Sequence, residues 1–169
     1  MPLQSTYENQ NCSVAATLEL IGERWTLLIV REALLGVHRF DEIQADLGIA
    51  RNVLQTRLQR LVDHGIMEKR LYQEHPERYE YRLTAAGLGL WPTIVTLMKW
   101  GDANLPQPGG PPVVLEHRGC GGAIDMHATC ERCGEKLSAR EAWATPGPGA
   151  GPDHPLRRRS DGRTRTATA

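Results

Sequence analysis

Apolar positions recur at helical spacing through the first part of the chain, and glycines divide them into segments. Val14, Leu18 and Ile21 share one face of a predicted helix over Ser13 to Ile21, which Gly22 ends. Trp25, Leu28, Ile29, Val30, Leu34 and Leu35 predict a second helix that is apolar round most of its circumference, hence a central core helix, closed by Gly36. Phe40-Asp41 sets up an N-cap for a third, short helix, with Ile43 and Leu47 as buried positions and Gly48 as its stop. From Ala50 to Gly65, Leu54, Leu58 and Leu61 fall on one face, while Asn52, Gln55, Thr56, Gln59 and Arg60 crowd the other.

The period then changes. Ile66 to Tyr72 reads as a strand, Gln73 to Arg78 as a turn-rich loop, and Tyr79, Tyr81 and Leu83 alternate with Glu80 and Arg82 as a half-buried second strand. A short helix, a tight turn, a longer helix and a strand hairpin is the order of a helix-turn-helix with a wing, although the helix pair alone would also fit an ordinary helical hairpin. Thr84 is the expected N-cap of a further helix carrying Leu88, Trp91, Ile94, Val95, Leu97, Met98 and Trp100, kinked or restarted at Pro92. That helix is apolar on too many sides for one core, so its excess is expected to be buried against a partner, as in a dimer.

The polar face of the Ala50–Gly65 helix is almost free of acid. Amides, a hydroxyl and arginine are the donors and acceptors that base edges and phosphates accept. Gln55, Thr56 and Gln59 are candidates for base edges, with Asn52 and Arg60 reading or clamping at the rim. Arg51 and Arg57 are candidates for phosphates, although Arg57 equally suits an ion pair with an acid on a neighbouring helix. At the wing, Arg78 either reaches a minor groove or pairs with Glu77 or Glu80 in solvent. Formal net charge over the 169 residues is zero, so only local charge supports nucleic acid. From Arg51 to Arg70 five basic residues oppose two acidic ones.

No basic and apolar leader and no apolar run of the ~18 residues a membrane span needs is present, so a cytoplasmic protein with no membrane partner is expected. Four cysteines bear on the chemistry: Cys12 stands apart, and Cys120, Cys130 and Cys133 cluster. His117-x-x-Cys120-Gly121 and Cys130-x-x-Cys133-Gly134 are two matching halves that predict a tetrahedral, structural Zn²⁺ site in a zinc-ribbon-like segment. Pro106 to Pro112 reads as a linker. Ala144 to Pro152 is low in complexity and is expected to be disordered, followed by Arg157, Arg158, Arg159, Arg163 and Arg165. Cys12 is either a small buried residue or a thiolate favoured by helix N-terminal amides.

These residues resemble the HxlR-type transcriptional regulators, winged-helix relatives of the MarR repressors. Cys12 with its helix, Gly22 to Ile29, Arg39 to Ile43, Leu54 to Leu58, Tyr79 to Thr84 with Gly87, and Trp100-Gly101 carry the resemblance, which covers roughly Asn11 to Leu105. It implies a homodimeric, sequence-specific DNA-binding repressor or activator, joined through the N-terminal helix and the helix from Thr84 to Asp102. It also implies an effector such as an electrophile or oxidant sensed at Cys12. The chain departs from the pattern at Ala50, where a serine or threonine cap is usual, and at Glu77 beside the wing arginine.

The expected fold class is mainly α with a small β-hairpin (α+β). A winged helix-turn-helix over 1–105 precedes a linker (106–112), the zinc-ribbon-like segment (113–143) and a disordered basic tail (144–169). An enzyme is not expected, because no nucleophile–base pair, phosphate loop or carboxylate pair is present. The competing reading is a zinc-dependent protein-interaction module on a winged-helix scaffold.

Overall fold

The computed structural model describes Tyr7 and residues 11–160. The chain forms two compact units, one comprising Met1–Ala33 with Val37–Gly87 and the other Leu34–Gly36 with Leu88–Ala169. The division falls at Gly87/Leu88 instead of near Leu105, so the long apolar helix belongs with the cysteine-rich segment.

In the first unit, α1 (Ser13–Ile21), α2 (Thr26–Leu34), α3 (Phe40–Leu47) and α4 (Arg51–Asp63) precede an antiparallel hairpin of β1 (Met67–Glu74) and β2 (Glu77–Leu83). Leu54, Leu58 and Leu61, one face of α4, are fully buried, as are Ile29 and Val30 of α2 and Ile43 of α3. Ile21, Ala33, Val37, Ile49 and Met67 are buried with them. Trp25, expected in it, is half-buried with a φ of 81° in the turn before α2, and its ring lies 5.3 Å from the Arg24 guanidinium. Val14, Leu18 and Leu28 stay exposed, so neither α1 nor α2 is covered on all its apolar sides.

The N-cap of α3 is Arg39, not Phe40 or Asp41, and it makes no side-chain cap. The reason lies in the wing: the Tyr81 amide donates to the His38 carbonyl at 2.7 Å and Arg39 bridges Glu80, so this backbone is extended up to the first helical residue. Asp41 and Glu42 instead sit in the first turn, where the helix dipole favours acid. Both wing strands outrun their expected ends, and the Gln73–Arg78 loop shrinks to a turn at His75 and Pro76. Around the tip, Gln73 faces Arg78 and Glu74 faces Glu77. Their side chains are polar on both faces, so no alternation marks the pairing.

Thr84 caps as expected, accepting from the Gly87 amide at 3.2 Å while its hydroxyl donates to the Gly65 carbonyl at 2.6 Å. The single helix expected from Thr84 to Asp102 is two, α5 (Ala85–Leu88) and α6 (Trp91–Asn104), with Pro92 in the first turn of α6. There it lacks only an N–H that has no helical acceptor.

The second unit continues through β3 (Val113–His117), a 3₁₀ turn (Ala139–Glu141), β4 (Ala142–Pro146) and α7 (Pro155–Ser160). β3 and β4 pair antiparallel from Val113↔Pro146 to His117↔Ala142. Ala144 to Pro146 are therefore strand, where a disordered tail was expected. Backbone pairing holds them, and small, proline-flanked residues carry little sign of it. The bonds run on beyond β4, with the Gly147 amide donating to the Pro112 carbonyl and the Gly149 amide to that of Pro111. Arg157 Nε donates to the Ala150 carbonyl at 3.3 Å, while Arg163 and Arg165 lie outside the described residues.

Trp91 and Val95 of α6 form one core with Leu115, Ile124, Ala128, Cys130, Leu137 and Ala142, and Met98 packs on its edge. This corrects part of the expectation for α6: the chain's own later segment covers one apolar face, leaving Leu97 and Trp100 exposed. Among the described residues no helix is long and apolar enough to cross a membrane.

Candidate nucleic-acid interface and metal centre

Burying the leucine stripe of α4 leaves Asn52, Gln55, Thr56 and Gln59 exposed. Together with Arg60 and Asp63 they line an open groove of about 500 Å³. Within it, the Thr56 hydroxyl donates to the Asn52 carbonyl at 2.9 Å, and the Gln59 amide donates to Asp63 at 2.7 Å. Ala50 makes no side-chain cap, as its methyl side chain dictates.

The arginines divide into two sets. Arg57 is only 19% exposed and donates to the Glu23 carboxylate at 2.5 Å, the internal ion pair that the sequence left open. Arg60 Nη2 donates to the Glu19 carbonyl, also at 2.5 Å. Both tie α4 to the end of α1 and the turn after it. Arg51 faces outward, 3.7 Å from Asp41 and with its guanidinium 4.8 Å from the Phe40 ring.

On the wing, Arg78 is exposed. The Glu77 carboxylate beside it accepts from the Tyr79 hydroxyl at 2.8 Å, and Glu80 holds Arg82 at 2.8 Å. Lys69, which sequence reasoning passed over, sits with Nζ 3.9 Å from the Tyr79 ring centre. In register Lys69 faces Tyr81, so it reaches the Tyr79 ring on the diagonal, a contact that strand alternation alone does not signal.

Cys12 is the N-cap of α1 and is exposed, so it is not a core residue. The amides of Ala15 and Val14 draw its thiol below the ordinary range, as helix N-terminal amides do for a thiolate.

The predicted ligands converge. Ligand atoms of His117, Cys120, Cys130 and Cys133 all lie within 4.8 Å of one another. Cys120 Sγ is 3.4 Å from Cys130 Sγ and 3.8 Å from Cys133 Sγ, and His117 Nδ1 is 3.3 Å from both Cys120 Sγ and Cys133 Sγ. A tetrahedron with metal–sulfur bonds of about 2.3 Å has S···S edges of roughly 3.8 Å, so the four groups are set at coordination spacing. The sulfurs are well beyond disulfide bonding distance, about 2.05 Å.

Two turns of the same design build the cluster. The His117 amide donates to the Gly122 carbonyl and the Gly121 amide to His117; the Cys130 amide donates to Glu135 and the Gly134 amide to Cys130. Each turn needs a glycine at positive φ, Gly121 at 71° and Gly134 at 73°. Burial pushes the Cys130 thiol up, but the amides of Cys133 and Arg132 and contacts with Cys120 and His117 bring it down to about 6. Glu135 stands 3.7 Å from His117 Nε2, on the ring edge away from the sulfurs. It was missed in the sequence, where nothing separates it from the surrounding glutamates.

Fold and exposed face define a winged-helix DNA-binding protein, and the comparisons agree. The HxlR-like helix-turn-helix family matches residues 20–108. An HTH-type transcriptional regulator of Mycobacterium bovis is 51% identical over 137 residues, covering 81% of this chain and 87% of the relative. Among solved structures, PA1607, a candidate transcription factor, is 36% identical with a TM-score of 0.64, covering 79% of this chain and 94% of that one. The redox regulator HypR in its reduced form is 28% identical with a TM-score of 0.50, covering 56% and 95%. The chain therefore belongs to the HxlR-like helix-turn-helix family and is a DNA-binding transcriptional regulator. An alignment of 137 residues necessarily runs past residue 108, so the likeness to the M. bovis regulator enters the second unit.

Gly122 tests the metal geometry. A Cβ there would stand 2.5 Å from Cys130 Sγ and 2.5 Å from Arg132 Cβ. Gly122→Ala is expected to weaken metal retention at least tenfold in a competition titration with a chromogenic chelator. Unchanged retention would contradict the cluster geometry.

Proposed function

We propose that the protein is a homodimeric repressor that reads a palindromic operator with α4. The observation that carries this is the exposed, nearly acid-free face of Asn52, Gln55, Thr56 and Gln59, opposite a fully buried leucine stripe. Gln55 and Asn52 are the base readers, because Gln59 and Thr56 already hold partners on their own helix. Arg51 and the wing's Arg78 hold phosphates or line a minor groove. Arg57 takes the ion-pair role that the sequence left open, and Arg60, expected at a rim of the DNA contact, acts mainly as a second tie that sets the angle of α4.

Exposed Val14 and Leu18 on α1, and Leu97 and Trp100 on α6, supply apolar area for self-association. Two copies of α4 would then enter successive major grooves about 34 Å apart. The His117, Cys120, Cys130 and Cys133 cluster holds a structural Zn²⁺: borderline-soft sulfur and imidazole donors suit it, and all four positions are filled by protein. In zinc-finger peptides such a metal contributes about 10–16 kcal/mol of apparent binding free energy, which is folding free energy.

Cys12 is the site at which an oxidant or electrophile acts. Its exposure and amide-lowered thiol, together with the likeness to a redox regulator, support that role.

Selection of genomic fragments by the purified protein is expected to enrich one imperfect palindrome. The interaction-module reading predicts no enriched sequence. Maleimide treatment of the zinc-loaded protein is expected to label Cys12 alone, with peptide mapping as the readout; a Cys12 that never reacts ends the sensing role.

A further inference from the structure

Cys130 is at once a metal-ligand candidate and a member of the apolar core that contains Trp91 and Val95, with Cys120 packed on the edge of that core. The ribbon's own buried side chains are few: Leu115, Ile124, Leu137 and three alanine-sized or thiol groups. A piece of chain below ~40 residues rarely folds on so little without a metal, a disulfide or a partner surface.

Its hydrogen bonds run through the cluster as well. Isolated bridges lace the two turns together, Glu116 of β3 with Ala123 and Ile124 with Cys130. Arg132 Nη1 crosses from the second turn to the Cys120 carbonyl of the first at 2.5 Å. α6 reciprocates with one polar contact, the Thr96 hydroxyl donating to the Met126 carbonyl at 3.0 Å.

Resting on the metal reading, we infer that metal occupancy governs whether the Trp91–Val95–Met98 face of α6 is covered. The ribbon is a metal-dependent cap on that face. With Zn²⁺ bound, four ligands pin both turns and the cap is closed. With the metal removed, only weak thiol–thiol and thiol–imidazole contacts remain to hold the two turns, the ribbon loses its fold, and the α6 face is exposed. The first unit keeps its own core, since Leu54, Leu58, Leu61, Ile29 and Ile43 belong to a separate compact body. Loss of the ligand is thus turned into an exposed apolar surface on a helix without melting the DNA-reading unit.

The test is hydrogen–deuterium exchange of the full chain, read by peptide mass spectrometry, before and after treatment with EDTA and again after Zn²⁺ is restored. Metal content is measured in the same samples, and the binding of an apolar dye is followed in parallel. The expected result is release of one zinc per chain and loss of protection over residues 113–146 and 91–98. Residues 51–83 stay protected, dye fluorescence rises, and all of it reverses with Zn²⁺. Zinc release with 91–98 and 113–146 still protected overturns the inference while leaving the metal reading intact. Equal loss over 51–83 overturns its confinement to the second unit. A protein that holds no zinc and takes none up overturns the metal reading, and the inference with it.

Discussion

Burial of Leu54, Leu58 and Leu61 on one side of α4 is the constraint from which the proposed DNA-reading surface follows. Removing such side chains from water is worth roughly 1.5–3 kcal/mol each, far more than any surface contact of the helix. Once the stripe is inside, the residues between its members must face solvent, and these are the amides and hydroxyl of Asn52, Gln55, Thr56 and Gln59. The stripe fixes which side is in. The finer angle comes from polar ties, Arg57 to Glu23 and Arg60 to the Glu19 carbonyl, which join α4 to the region of α1. Cys12 is the N-cap residue of that same α1, so the proposed chemistry at its thiol would act on an element to which α4 is bonded.

The second unit obeys a different balance. Its ribbon has too small a core to stand on apolar burial alone and rests on the Trp91–Val95 face of α6 and, in the proposed reading, on a metal held by the His117–Cys120–Cys130–Cys133 cluster. Each support needs the other. The cluster brings Ile124 and Cys130 into register, and α6 supplies the area on which they close. This explains why a helix with apolar residues on several sides does not expose all of them in one chain.

Much of this was legible in the sequence, because helical periodicity and metal-ligand spacing are local. The bounds of α1 and the core stripe of α4 follow from apolar spacing and glycine stops, and the His117–Cys120–Cys130–Cys133 cluster from two His/Cys-x-x-Cys-Gly turns. What could not be read was set by pairing across distance. The Arg39 cap of α3 depends on a bridge to Glu80, and the strand at Ala142–Pro146 depends on β3, some thirty residues earlier. Neither partner is visible from a local window. Likewise, nothing in the spacing of Arg57 and Arg60 separates a phosphate contact from a tie to Glu23 or Glu19; only the fold brings those acceptors within reach.

The outer face of α4 is proposed to read bases, while Arg57 and Arg60 hold the helix in place. The direct measurement is fluorescence anisotropy of Gln55→Ala against the enriched operator and a scrambled duplex, at fixed salt, with urea unfolding of the same variant. A good bidentate base contact is worth about 1–3 kcal/mol of discrimination. The specificity ratio is expected to fall by roughly 5- to 150-fold while stability changes by less than about 0.5 kcal/mol. An unchanged ratio would contradict base reading by this face of α4.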